Sequence, residues 1–327
     1  MIITRTPFRI SFFGGGTDFP DWYNENGGTV LSTTIDKYCY ISCRRLPPFF
    51  EYKHRIVYSK YEQVNEIDEI VHPAVRETFR FMGIDEGLEI HHDGDLPARS
   101  GLGSSSSFTV GLLNTLYALK GKMVTKKQLA LDAIYVEQEM IKENVGSQDQ
   151  VAVAYGGINK ISFFGKHEID VTPITLSHER IEDFENHLML FFTGFSRMAS
   201  EIEKDKIQNI EKNKDKLSIM QVMVDEAIHI LSEHKNFHGF GELLHESWKL
   251  KKRLSEKVTN TFVDEIYDTA LKNGAIGGKL LGAGGGGFIL FFVKPENRDR
   301  LKKSLSYLLY VPFSFDKTGS QIIYYNE

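Results

Sequence analysis

Residues 96–107 read Leu-Pro-Ala-Arg-Ser-Gly-Leu-Gly-Ser-Ser-Ser-Ser, and the chain then runs straight into an apolar stripe. Phe108, Leu112, Leu116 and Leu119 follow at spacings of four, four and three, which predicts a helix over Ser104–Leu119. Small residues let a backbone come close to a ligand, and the amides of a first helical turn have no acceptor within the helix. The helix dipole adds about half a positive charge at that end. Together these features predict an anion site suited to nucleotide phosphates, with serine hydroxyls donating to phosphate oxygens or ligating Mg²⁺. A plainer alternative is a loop whose serines only cap the helix. No lysine follows Gly103, so a Walker A loop, and with it a P-loop NTPase, is disfavoured.

Two more glycine clusters flank this one. Residues 279–289 read Lys-Leu-Leu-Gly-Ala-Gly-Gly-Gly-Gly-Phe-Ile. Gly282, Gly284 and Gly287 satisfy G-x-G-x-x-G, but the run leads into the apolar stretch Phe288–Val293 near the C-terminus. A dinucleotide fingerprint leads from a strand into a helix early in a βαβ unit. Neither His-Arg-Asp nor Asp-Phe-Gly occurs, which excludes a protein kinase. A long hairpin turn is the alternative. Near the N-terminus, a strand-like run from Thr6 ends in Gly14-Gly15-Gly16-Thr17-Asp18. That pattern aims a carboxylate at a hydroxyl ligand or, taken alone, makes an Asx-capped turn. Ten of the 28 glycines lie in these three places. If the places converge, ligand approach is the expected reason for them.

A net charge of −5 argues against a nucleic-acid binder, while leaving room for a small polyanionic ligand. The 327 residues suffice for two domains, and 41% apolar with 25% charged residues excludes a disordered chain, a collagen-like fibre and a disulfide scaffold. Cys39 and Cys43 lie four apart in a strand-like stretch, roughly 13 Å along a strand and too far for a disulfide. The longest apolar run falls far short of the ~20 residues that span a bilayer, and no signal peptide is seen. The expectation is a cytoplasmic protein with no membrane partner.

Strands are predicted over Ile2–Phe13, Thr29–Leu46, Arg55–Tyr61, Leu88–His92, Asn159–Phe164, Leu188–Thr193, Gly287–Val293, Tyr310–Phe315 and Gln321–Tyr325. Helices are predicted over His72–Met82, Ser104–Leu119, from the cap Thr125 to about Lys142, and over Met198–Leu231, Phe240–Leu254 and Thr261–Lys272. Pro173–Glu185 reads as a polar connection, dividing the chain into domains of 1–178 and 179–327. Strands and helices mix without regular βα alternation, so the fold class is α+β.

Taken together and in this order, the clusters resemble the GHMP kinases, the family of galactokinase, homoserine kinase, mevalonate kinase and phosphomevalonate kinase. Pro97 to Ser106 is similar to their phosphate loop, Lys279 to Phe288 to their C-terminal glycine motif, and Pro7 to Asp18 to their sugar-side motif. The resemblance implies an N-terminal domain of ribosomal-protein type and a ferredoxin-like C-terminal domain. It implies ATP held by Pro97, Gly101, Leu102, Gly103, Ser104, Ser105 and Ser106, with Gly284 and Gly285.

It further implies Mg²⁺ on Ser105 and Glu137, and Asp149 as the base that takes the acceptor proton. Glu137 stands twelve residues before Asp149, as in the galactokinase pattern. Glu139 competes for the metal, but lies about 200° away around a helix. On the residues alone, both glutamates read as a solvated face, and Asp149 reads as readily as a helix cap as a functional carboxylate. Arg9 matches the galactokinase arginine and would offset charge near Asp149; the alternative is a structural ion pair. Gly15, Gly16, Thr17 and Asp18 match the sugar-binding positions.

The N-terminal motif departs from the galactokinase Gly-Glu-His-Thr-Asp and is similar to the subgroup acting on D-glycero-α-D-manno-heptose 7-phosphate, with fucokinase as a relative. The implied reaction gives the 1,7-bisphosphate, a step towards nucleotide-activated heptose for capsule or lipopolysaccharide. A sugar phosphate needs a cationic holder at its far end. Arg197 is the first candidate, with Lys251, Lys252 and Arg99 behind it. A kinase of fucose or galactose, a catalytically silent sugar sensor and a homodimer stay open.

Overall fold

A computed structural model describes residues 1–98, 100–165, 168–194, 199–233 and 235–326. The first half contains β1 (Ile2–Phe13), α1 (Pro20–Asn26), β2 (Gly28–Arg45), β3 (His54–Val57), β4 (Tyr61–Val64), α2 (Pro73–Met82) and β5 (Leu88–Gly94). It continues with α3 (Ser104–Leu119), α4 (Lys126–Tyr135), α5 (Gln148–Tyr155), β6 (Ile158–Phe164) and β7 (Glu168–Pro173). The second half holds α6 (His178–Asn186), β8 (Leu188–Gly194), α7 (Ala199–Gln208), α8 (Lys214–Ser232), α9 (His238–Lys252) and α10 (Thr261–Lys272). The chain ends with β9 (Ala275–Leu280), β10 (Gly287–Val293), α11 (Arg298–Ser304), β11 (Leu309–Val311), β12 (Phe315–Asp316) and β13 (Gln321–Tyr325).

Several boundaries differ from the sequence reading for local reasons. The single strand expected over Arg55–Tyr61 is the hairpin β3–β4, closed where the Tyr58 amide donates to Lys60 O (2.9 Å). The polar stretch Pro173–Glu185 is no linker: Ser177 caps α6, and Phe184 on that helix is fully buried. The helix expected over Met198–Leu231 is interrupted by a 3₁₀ turn at Glu211–Asn213, where the Asn213 side chain donates to Leu254 O (3.0 Å).

Among the described residues the larger sheet has nine strands, in the order β13-β1-β2-β5-β3-β4, with β6 and β12 pairing with β2 and β7 with β6. α3 lies against it as a helix buried nearly all round, and Gly111 allows close approach, since a Cβ there would lie 2.9 Å from Thr6 Oγ1. The second sheet is antiparallel in the order β11-β8-β10-β9. Its chain order, strand, helices, two strands, helix, strand, makes it ferredoxin-like. The division at 178/179 separates the two sheets but not the chain's end: Tyr325 pairs with Ile2 and Phe315 with Ile35, returning β12 and β13 to the first sheet.

One apolar core joins the halves. Phe184 packs on Phe240 (ring centroids 4.8 Å), Phe240 on Phe12 (5.6 Å) and on Phe292 (5.7 Å). Each such buried side chain contributes roughly 1.5–3 kcal/mol, so the sheets are fixed to one another at the level of β1. Cys39 and Cys43 are buried free thiols, and burial pushes both thiol pKa values up. No helix among the described residues is long and apolar enough to cross a membrane.

Candidate active site

The three glycine clusters meet where the sheets join. A Cβ on Gly282 would lie 2.4 Å from Gly101 Cα, and one on Gly287 would lie 2.3 Å from Ser100 O. The Phe288 amide donates to Ser100 O (3.1 Å) and the Arg9 amide to Leu102 O (3.0 Å). The expected convergence is therefore real, and at Gly101, Gly282 and Gly287 a close neighbour is the other loop's backbone. The residue at the N-cap position of α3 is Gly103, which has no side chain to cap the helix. Ser107 donates to Pro7 O (2.9 Å), fastening the helix to β1.

Arg9 and Asp149 form a bidentate pair, Nε to Oδ1 and Nη2 to Oδ2 both at 2.6 Å, while Arg9 Nη1 donates to Gly101 O (2.7 Å). Gly103 lies directly over them: a Cβ there would be 3.0 Å from Arg9 Cγ and 3.3 Å from Asp149 Oδ2. The start of α3 and the carboxylate of α5 thus face one another across a glycine. The cleft beside them is lined by Arg9, Gly15, Gly16, Asp18, Gln148 and Asp149 from the first half, and by Lys251, Lys279 and Gly282 from the second.

Asp18 is almost completely buried and accepts from the Gly16 amide (2.8 Å). Burial pushes its carboxyl above the usual range, and the neighbouring Asp149 adds to this. Gly146 is required beneath it, since a Cβ would lie 1.9 Å from Asp18 Oδ2. Thr17 departs from its expected sugar role. It is fully buried, and its hydroxyl donates to Gly14 O (2.8 Å) and Thr29 O (3.0 Å), closing the turn instead of facing the cleft.

Glu137 lies in a π-helical turn, Val136–Met140, marked by the Ile141 amide reaching Val136 O (2.9 Å); such turns often accompany functional sites. The turn leaves Glu137 wholly buried and Glu139 exposed, which separates the two competitors. Ser106 Oγ (3.0 Å) and Gln150 Nε2 donate to Glu137 Oε2, while Oε1 is buried without a partner. Burial above all, then Glu143, pushes the Glu137 carboxyl up to about 8. A buried carboxylate with one orphaned oxygen beside hydroxyls fits a hard cation that takes its other ligands from phosphates and water. No cluster of three His, Cys, Asp or Glu suited to a metal exists among the described residues.

Other expected residues divide. Ser105 is exposed, and it is Ser106, on the inward side of the same turn, that reaches Glu137. Ser104 is half-buried, and Pro97 O accepts from Ser100 Oγ (2.6 Å). Gly284 and Gly285 pack on the loop before α10, where the Gly285 amide donates to Val258 O (3.0 Å). Lys252 pairs with Asp264 (3.1 Å), away from the cleft lining, whereas Lys251 is buried in it and donates to Leu280 O (2.8 Å) and Gly282 O (2.7 Å). Arg197 and Arg99 lie outside the described residues. The sequence reading missed Ser11, Gln148, Gln150 and Lys279, all buried wholly or in part; Lys279 donates to Phe12 O (2.7 Å).

The GHMP kinases N-terminal domain matches residues 69–157, and the GHMP kinases C-terminal domain matches 226–310. The D-glycero-alpha-D-manno-heptose 7-phosphate kinase of Campylobacter jejuni is 30% identical over 97% of both chains. The chain belongs to the GHMP kinases. As in that family, it is an ATP-dependent phosphotransferase. The GHMP kinase fold is equally clear in solved structures. A D-glycero-D-manno-heptose 1-phosphate kinase from Bacteroides thetaiotaomicron superposes with TM-score 0.75 at 22% identity, covering all of both chains. Lactococcus lactis galactokinase complexed with galactose gives 0.76 at 20% identity, covering 98% of this chain and 94% of its own.

Proposed function

We propose that this GHMP kinase transfers the γ-phosphoryl group of ATP to the anomeric hydroxyl of D-glycero-α-D-manno-heptose 7-phosphate, releasing ADP and the 1,7-bisphosphate. The observation that carries the reading is the Arg9–Asp149 pair, held under Gly103 at the start of α3 and opening onto the cleft that Asp18 lines. The likeness to the C. jejuni heptose 7-phosphate kinase over nearly the whole chain supports the substrate. Two free cysteines fit a reducing cytoplasm, where ATP is abundant.

In this reading the acceptor oxygen attacks the γ-phosphorus, the bond to the bridging oxygen breaks, and Asp149 takes the hydroxyl proton. Arg9 fixes both oxygens of Asp149, so the base meets the hydroxyl in one orientation. Free amides of the α3 start and its dipole receive the phosphates. Glu137 and a serine of that turn, Ser106 by geometry and Ser105 by motif, would hold Mg²⁺. The chemistry such an ion would supply when bound is neutralisation of the charge on the transferring phosphates. Lys251 gives the cleft positive charge for the distal phosphate; Arg197 is proposed for the same phosphate on its sequence position alone.

An ADP-release assay over heptose 7-phosphate, fucose, galactose and mevalonate, with Asp149→Asn as control, tests the proposal. Heptose 7-phosphate is expected to give the highest kcat/KM. A better rate with another acceptor overturns the substrate. No turnover with any acceptor identifies a silent sensor.

A further inference from the structure

Two polar atoms in the cleft wall lack the partner that burial demands. Ser11 is 7% exposed, and its Oγ has no hydrogen bond; Gln148 Oε1 is likewise buried and unpartnered. Both residues line the cleft beside Asp149. Gln148 also neighbours Asp18, whose carboxyl its side-chain amide draws down against the larger upward push of burial, and Oε1 is the end of that amide without a partner. Buried polar groups are normally paired, and exceptions in a cleft point to a ligand that completes them.

Gly15 supplies a separate observation. Its neighbours Gly14 and Gly16 have φ of +80° and +106°, conformations that favour glycine, but Gly15 is not among the positive-φ residues. A Cβ on Gly15 would stand 3.7 Å from Ser11 Oγ and 3.8 Å from Gln148 Nε2, ordinary contact distances. Neither backbone nor packing therefore demands glycine at 15. What glycine does is leave open the space in front of these two side chains.

We infer that Ser11 and Gln148 jointly read one hydroxyl of the acceptor, distinct from the hydroxyl that is phosphorylated. The Ser11 hydroxyl donates to the acceptor oxygen, and Gln148 Oε1 accepts the acceptor's proton. Arg9 and Ser11 share one face of β1, two residues and so roughly 6.6 Å apart. Arg9 holds the base at the reacting hydroxyl, which places the Ser11 position one step further along the ligand. A polyol satisfies both positions, and an acceptor without a hydroxyl at the second leaves two buried groups unpaired. Sites of that kind reject the deoxy compound strongly.

The inference rests on the kinase reading but not on the identity of the sugar, so it is tested on whichever panel acceptor the wild type prefers. Ser11→Ala, Gln148→Met and Gly15→Ala are assayed with that acceptor and its monodeoxy analogues, with melting temperatures recorded. The expected result is a rise in acceptor KM of about tenfold or more for each variant, with ATP KM changed less than about twofold. One deoxy analogue should be poor for the wild type, and its disadvantage against the parent acceptor should shrink in Ser11→Ala, where only Gln148 is left unpaired. Melting temperature should be kept or raised, since removing an unsatisfied hydroxyl takes nothing from the fold. Three outcomes overturn the inference: equal effects on both substrates, a wild type indifferent to every deoxy analogue, or a Ser11→Ala variant that discriminates like the wild type. A preference for mevalonate sinks the sugar assignment while leaving these readouts intact. No turnover with any acceptor sinks both.

Discussion

Arg9 and Asp149, 140 residues apart in sequence, meet through two parallel 2.6 Å hydrogen bonds. The arginine side chain is 5% exposed and the aspartate 22%, so the pair sits at the cleft wall with only the carboxylate reaching solvent. A third Arg9 bond, to Gly101 O, ties the same guanidinium to the phosphate loop. One side chain thus sets the position of the proposed base relative to the loop that receives ATP.

Replacing either partner separates charge from geometry. Asp149→Asn should lower kcat about 10²–10⁴-fold with ATP KM nearly unchanged. Arg9→Lys keeps the charge but loses the planar fork. It should lower kcat/KM for the acceptor at least about tenfold and reduce the melting temperature. Steady-state kinetics with both substrates varied checks this; a fully active Arg9→Lys would show that the fork is dispensable.

Glu137 calls for a different measurement. Its carboxylate has an orphaned buried oxygen, so Glu137→Gln should melt at or above the wild-type temperature in EDTA. With nucleotide present, added Mg²⁺ should raise the wild-type melting temperature further and leave the variant unmoved. Ser106→Ala should raise the Mg²⁺ requirement more than Ser105→Ala, because Ser106 is the serine on Glu137. The reverse order would return the metal to the exposed serine.

Periodicity made much of the fold legible. The bounds of β1, α3, α10, β10 and β13 follow from alternation or helical spacing and coincide with those observed. The β3–β4 hairpin did not, because Tyr58-Ser59-Lys60 carries no glycine or proline to announce a turn. The return of β13 to β1 is a pairing across the whole chain, which no local pattern encodes. At the site, the motifs found Arg9, Asp18, Glu137 and Asp149, which the structure brings to one region. They failed where letters alone mislead: Thr17 matches a ligand position but spends its hydroxyl on Gly14 and Thr29. A run of four serines has no apolar phase, so its inward member could not be read from sequence. Ser11 and Gln148 lie inside the motif stretches, but nothing in the sequence gave them a role; burial without a partner sets them apart.

His54 provides a stability switch away from the cleft. It is fully buried against Phe79, and Nδ1 accepts from the Leu88 amide (3.4 Å), while Nε2 has no partner. Burial chiefly, with Lys53 adding to it, holds its pKa down at about 4. The unfolded chain therefore binds the proton first, and stability should fall as pH drops from about 6.5 towards 4, with a slope approaching about 1.4 kcal/mol per pH unit. Chemical denaturation at several pH values should show this component in the wild type and its loss in His54→Phe. An unchanged pH profile in the variant would assign the acid sensitivity elsewhere.

Gly282 tests whether the junction of the two glycine loops positions ATP. Its φ is +69°, and a Cβ would lie 2.4 Å from Gly101 Cα, a clash with backbone that no side-chain movement relieves. Gly83, at the end of α2, has φ +57° and open space around its missing Cβ. Alanine at either position incurs left-handed backbone strain of about 1–2 kcal/mol, but only Gly282→Ala must also push the phosphate loop away. Gly83→Ala should therefore lower the melting temperature modestly and leave both KM values unchanged. Gly282→Ala should lower it further and raise ATP KM several-fold, as Gly101 and the start of α3 shift together. Equal kinetics in the two variants would mean that the loops touch without either setting the other's place.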